Sequence, residues 1–162
     1  MRFLLISAAL ALAPPAWADP GEGAPDARAP VLACVAAAGI NEAAVRACQG
    51  AGAQPCHEAV IATQDMVLCA AGEGQAWDEV IAQSLARLSA GAPDRASALT
   101  DAQAAWSAYR ARECGYRVAR WGEGSGARVV LASCMAQMSA DRAVDLIAYE
   151  QEEEGSLALR RE

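Results

Sequence analysis

The 162-residue chain is poor in the side chains that most enzymes and metal proteins depend on. It has a single histidine, His57, and no Cys-x-x-Cys spacing. One imidazole cannot complete the common zinc ligand sets, and the missing cysteine spacing also argues against a thioredoxin-type redox role. Nucleophilic catalysis needs a nucleophile beside a base. The only such pair of neighbours is Cys56 and His57, and in an oxidising compartment that cysteine is read as bonded. The Gly122 to Gly126 segment lacks the Lys-Ser/Thr of a phosphate loop and follows a helical pattern, so it reads as a turn. Nothing singles out a carboxylate pair for glycoside chemistry among the 20 acidic residues. The expectation is a protein that is not an enzyme, with no catalytic residue, no cofactor and no metal.

Long apolar runs are also missing. The stretch from Phe3 to Leu12 follows Arg2 and is broken by Pro14 and Pro15 before Ala16-Trp17-Ala18. It is shorter than the roughly 20 residues a membrane-spanning helix needs, and its layout is that of a signal peptide cut before Asp19. Residues 1–18 are therefore read as a signal peptide. The mature chain is expected in the periplasm or secreted, with no membrane insertion after cleavage and no nearby cysteine to take a lipid. Cleavage removes one arginine and leaves 12 basic against 20 acidic residues, a net charge of −8. That balance argues against nucleic acid and anionic membranes as partners, and leaves cationic partners or plain solubility as its meaning.

What the chain does have is alanine and cysteine. The hydrophobic fraction is 54%, but much of it is alanine, which favours helix and buries little area per residue. All six cysteines, Cys34, Cys48, Cys56, Cys69, Cys114 and Cys134, lie beyond the cleavage point, and an even count in an exported chain reads as a cross-link framework. Six cysteines allow 15 connectivities, among which spacing favours Cys34 with Cys48 and Cys56 with Cys69.

Residues 19–29 have no apolar period and read as a flexible leader. A helical domain is expected over residues 30–149. Pro30 to Ala38 forms a short helix ended by Gly39; a second, carrying Cys48, starts at Asn41, whose side chain caps the following amides. A third short piece follows Pro55, with Cys69 at its far end before Gly72 and Gly74. From Gln75 to Leu88, Trp77, Val80, Ile81, Leu85 and Leu88 recur at helical steps, and Gly91 and Pro93 end that helix. The next runs from Asp94 or Ala96 to about Arg120, with Leu99, Ala102, Trp106, Tyr109, Glu113 and Tyr116 on one face. A last helix from about Arg128 to Tyr149 carries Leu131, Cys134, Met138, Arg142, Leu146 and Tyr149 inward. Nothing reads as a strand, so the fold class is all-α: a small disulfide-stapled domain ending in a long antiparallel helical hairpin. Residues 150–162 read as an acidic, mobile tail, because Glu150-Gln-Glu-Glu-Glu154 opposes the macrodipole at a helix C-terminus. The five arginines from Arg110 to Arg128 read as a solvated strip paired with Glu113 and Glu123.

The order Leu99, Ala102-Gln103, Trp106, Tyr109-Arg110, Glu113-Cys114, then Gly124-Ser125-Gly126, Cys134, Met138-Ser139, Arg142 and Leu146 closely resembles the LprI-like family, the lysozyme inhibitor LprI N-terminal domain. Cys69, Glu73 and Trp77-Asp78 resemble the helix preceding that motif, so the likeness covers roughly residues 56 to 149. The chain departs from the family in carrying Ala82 and Leu85 where Asn and Tyr are usual, and Ser139 for a threonine. The resemblance implies a bond between Cys114 and Cys134. It also implies an envelope protein, in some members a lysozyme inhibitor, whose partner is a cationic lysozyme-type muramidase. The alternative is an envelope structural or stress-related scaffold without lysozyme activity. Glu73, Trp77, Asp78, Gln103, Trp106, Tyr109, Arg110, Glu113 and Arg142 are read as structural family-motif residues, with Trp106 and Tyr109 on buried stripes. The exposed segments Gly124, Ser125, Gly126 and Glu152, Glu153, Glu154 are the candidate partner contacts.

With the last two helices folded back and Cys114 bonded to Cys134, facing positions sum to about 248. Trp106 then faces Arg142, in cation-π reach, while Tyr109 lies near Ser139 and Leu99 near Tyr149. Glu113 falls two turns from Arg142 and is expected to pair with Arg110 or Arg117.

Overall fold

A computed structural model describes residues 24–159. The expected signal peptide, the first part of the leader and the last three residues lie outside the described residues. Six α-helices follow in order: α1 (Arg28–Ala38), α2 (Glu42–Arg46), α3 (Ala53–Glu58), α4 (Thr63–Gly91), α5 (Ala96–Ala119) and α6 (Ser125–Leu159), with a 3₁₀ turn at Pro93–Arg95. No strand occurs among the described residues. The helices carry their expected start and stop signals in places. Asn41 Oδ1 accepts from the Ala44 amide at 2.9 Å, and α4 ends at Gly91 just before Pro93.

The core is the pairing of α4 and α6, which run parallel: Gln64, Gly74, Asp78 and Arg87 meet Arg128, Ala136, Ser139 and Glu150 in turn. Trp77, Val80 and Ile81 pack with Ala140, Ala143, Val144, Leu146 and Ile147, and Val31 and Val45 close the layer from α1 and α2. Alanine contributes little area at each contact, but it lets helix axes approach closely. α5 and α6 form the hairpin. Within α5 only Cys114 is fully buried, so that helix lies on the outside of the bundle.

Three disulfides staple these layers: Cys34–Cys48, Cys56–Cys69 and Cys114–Cys134, with Cα separations of 5.7, 5.6 and 5.6 Å. The first ties α1 to the end of α2, the second α3 to α4, and the third α5 to α6.

The structure departs from sequence expectation at several places; Leu131 and Tyr149, expected on the inner stripe of α6, are exposed. Gly72 and Gly74 do not end a short helix; α4 runs through both, and Cys69 lies inside it. A Cβ on Gly74 would come within 3.3 Å of Ala136 Cα, so glycine here serves close helix packing. The leader is anchored over residues 24–29. Ala27 is buried, and its carbonyl oxygen lies where a side chain on Gly52 would begin, 1.7 Å from that Cβ position.

The inner face of α5 is also rotated. Leu99, Gln103, Trp106, Arg110 and Cys114 face the bundle, whereas Ala102, Tyr109 and Tyr116 are exposed. The expected set repeats every 3.5 residues, and a straight helix drifts about 20° per heptad from such a repeat. Finally, α6 does not fray at Glu150 but continues to Leu159. Glu150 accepts two hydrogen bonds from Arg87, at 2.6 and 3.0 Å, and Glu153 pairs with Arg95, so side chains offset the unfavourable dipole.

Candidate functional site

The motif residues converge on two polar centres. The first is built around Glu73, one turn before Trp77 on α4. Its carboxylate is buried and accepts from the amides of Gly50 (2.8 Å), Gly52 (3.2 Å) and Ala53 (2.6 Å), and from Trp77 Nε1 (3.2 Å). These amides belong to the loop entering α3, whose first N–H groups have no intrahelical partner. A buried carboxylate is tolerable only when its lone pairs are filled, and here four donors fill them. Glu73 thus fastens the 50–53 loop to α4 from 20 residues away.

The second centre joins α4, α5 and α6. Arg110 donates through Nη1 to Asp78 at 2.6 Å and contacts the Ser139 hydroxyl, and Ser139 Oγ donates to the same Asp78 oxygen at 2.7 Å. The Arg110 guanidinium lies 4.8 Å from the Trp106 ring centroid and that of Arg142 lies 6.0 Å away, so two cations are within cation-π reach of one indole. Arg142, 8% exposed, donates through Nε to Gln103 at 3.0 Å. The expected register holds here: Trp106 meets Arg142, and Leu99 and Tyr149 line one groove. Arg110 takes the place beside Ser139 expected for Tyr109, because α5 is rotated. Glu113 pairs with Arg117 at 2.9 Å.

Chemically, this arrangement binds helices together. The Ser139 hydroxyl is engaged with both an acid and a guanidinium, and His57 lies apart, its Nε2 2.9 Å from the Met66 carbonyl oxygen. Cys56 is consumed by its disulfide. A groove of about 410 Å³ beside His57 is lined by Gly50, Glu58, Glu73 and Ser133. Among the described residues no three His, Cys, Asp or Glu side chains converge as a metal ion requires.

Of the motif residues, Tyr109 stands apart. It is 56% exposed, which corrects the expected buried position. The arginine strip is likewise not one uniform solvated face. Arg110 is interior, Arg117 is paired with Glu113, and Arg128 reaches Gln64 at 3.4 Å. Arg112 and Arg120 are exposed with no carboxylate within 4.0 Å among the described residues. The turn residues Gly124 and Ser125 are exposed, a Cβ on Gly126 would lie 3.7 Å from the Trp121 ring, and Glu152 and Glu154 are exposed on α6. Sequence reasoning missed the Arg87–Glu150 clamp and its Ser84 partner; the residues are 63 apart, and no local spacing announces them.

A family model described as lysozyme inhibitor LprI matches residues 56–146, more than half of the chain. The matched segment begins within α3 and ends within α6; it contains the Asp78–Arg110–Ser139 centre and Glu73 with Trp77, while α1, α2 and the Gly50, Gly52 and Ala53 amides that Glu73 binds precede it. No curated protein and no solved structure matches the chain. The chain belongs to the LprI family.

Proposed function

We propose that this LprI family member is an exported, non-enzymatic binding protein that inhibits a cationic lysozyme-type muramidase in the periplasm or outside the cell. The observation that carries the reading is the family match over residues 56–146. Two features support it: a formal net charge of −7, which steers a cationic partner, and three disulfides, which suit an oxidising compartment. No described helix is long and apolar enough to cross a membrane.

Apart from the exposed Tyr109, the motif residues are largely spent on holding helices together, so the lysozyme contact falls to exposed segments. Candidates are the turn at Gly124, Ser125 and Gly126, and the α6 acids Glu152, Glu153 and Glu154, of which Glu153 already serves Arg95. The domain responsible spans residues 30–149, together with the helical extension behind it. That same use of the motif favours a second reading, an envelope scaffold on the LprI fold that binds something other than lysozyme.

A turbidity assay with the chain purified after export separates the two. Added at micromolar concentration to a lysozyme digest of cell walls, the protein is expected to slow clearing at low salt and less so at moderate salt. Unchanged lysis in both buffers defeats the inhibitor reading and leaves the scaffold.

A further inference from the structure

Along the outer face of α5 stand Tyr109, Arg112, Tyr116 and Arg120. Steps of three, four and four residues place them in one line on a 3.6-residue helix, spanning about 16 Å at 1.5 Å per residue. Tyr116 is 79% exposed, and Trp121, just past the helix end, is 51% exposed. No hydrogen bond among the described residues occupies the two phenols or the indole N–H, and the two guanidinium groups have no carboxylate partner there. Ala105, Ala108, Gly115 and Ala119 flank the line on one side, and on the other Glu113 borders it with its carboxylate engaged by Arg117 at 2.9 Å. This concentration of unpaired positive charge lies on a chain whose net charge is −7 and whose basic residues are all arginine.

We propose that this face binds an extended anionic glycan: a polymer of sugar rings whose attached short peptides bear carboxylates, as in cell-wall peptidoglycan. A tyrosine ring offers a face to the C–H side of a sugar and a hydroxyl to its polar edge. A guanidinium fork takes a carboxylate through two parallel N–H donors. Alternation of ring and cation along one line suits a repeating polymer that lies lengthwise on the helix. A protein partner is favoured less, because interface hot spots cluster around a central, well-packed anchor, whereas these side chains are strung out without an apolar centre. The face is distinct from the acidic segments assigned to a cationic enzyme, and its binding does not depend on inhibition.

The test is cosedimentation of the chain, purified after export, with insoluble peptidoglycan and no lysozyme present. Parallel samples contain carboxyl-amidated peptidoglycan, uncharged chitin, phosphatidylglycerol vesicles and duplex DNA. Two variants are compared, Arg112→Glu with Arg120→Glu, and Tyr109→Ala with Tyr116→Ala; all four positions are exposed, so helicity by circular dichroism is expected to persist. Affinity for peptidoglycan is expected to fall about tenfold in each variant and on amidation, with weak binding to chitin, vesicles and DNA. If one variant unfolds, the other decides. Wild-type protein that stays in the supernatant, a folded variant that binds like wild type, or vesicles or DNA bound as tightly as peptidoglycan overturns the proposal.

Discussion

Glu73 and Trp77, one helical turn apart on α4, are joined by the indole N–H donating to a carboxylate that also holds three backbone amides of another segment. A single side chain therefore orients the largest residue of the core and closes the loop that begins α3. Both lie within the segment that the LprI family model matches, and both are buried. The consequence is that this part of the segment encodes folding.

Replacing Glu73 by glutamine keeps the volume but exchanges a four-acceptor carboxylate for an amide with one acceptor oxygen. At least one buried backbone N–H loses its partner, and the amide nitrogen meets donors instead of acceptors. We expect a loss of about 2–3 kcal/mol, near the range for removing a charged partner from buried donors. Chemical denaturation should show a lower midpoint at unchanged slope. A shift under about 0.5 kcal/mol means the loop is held by other contacts.

The triad of Asp78, Arg110 and Ser139 predicts coupling. Asp78 is half exposed, so its ion pair with Arg110 contributes little through charge alone. The shared hydroxyl raises the stake, since Arg110 also loses its contact with Ser139 when the cluster is broken. A double-mutant cycle of Asp78→Asn and Ser139→Ala is expected to give a coupling energy of about 1 kcal/mol. Additive effects count against a single cooperative cluster.

How much of this was legible in the sequence differs from element to element. The helix holding Trp77, Val80 and Ile81 declares its buried stripe through three- and four-residue steps, and Asn41 declares a cap. The hairpin register followed from one bond, Cys114 to Cys134, because fixing one facing pair fixes the rest. Tyr109 and Tyr116 misled because their bulk outweighed the smaller, correct choices at Gln103 and Arg110. A polar residue on an inner face looks like a solvent-facing one until its partner on another helix is known. The same holds for Glu150, which read as part of a fraying acidic tail until Arg87, 63 residues earlier, supplied its partner.

That clamp yields its own prediction. Arg87 is half exposed and Glu150 almost fully buried, so the pair is worth more than a surface bridge and less than an interior one. Glu150→Gln is expected to cost about 1 kcal/mol and to let the last turns of α6 fray. Amide hydrogen exchange should show faster exchange over residues 151–159 with no change in α4. Unaltered protection there means that the extension stands without the clamp.

The sharpest separation of tertiary from local stability concerns α5. It buries only Cys114 fully, and most of its other inward contacts are made to α6: Trp106 and Gln103 with Arg142 and Arg110 with Ser139, beside the Arg110 pair with Asp78 of α4. A disulfide closing a loop of 20 residues is worth about 3 kcal/mol in the chain-entropy description. Replacing Cys114 and Cys134 together by alanine removes that tie and leaves the α4–α6 seam intact. Amides of α5 should then exchange orders of magnitude faster than those of α4, because α5 can open as a unit while the core persists. If α4 and α5 lose protection together, the hairpin and the core form one cooperative unit, and the outer helix is more deeply integrated than its burial implies.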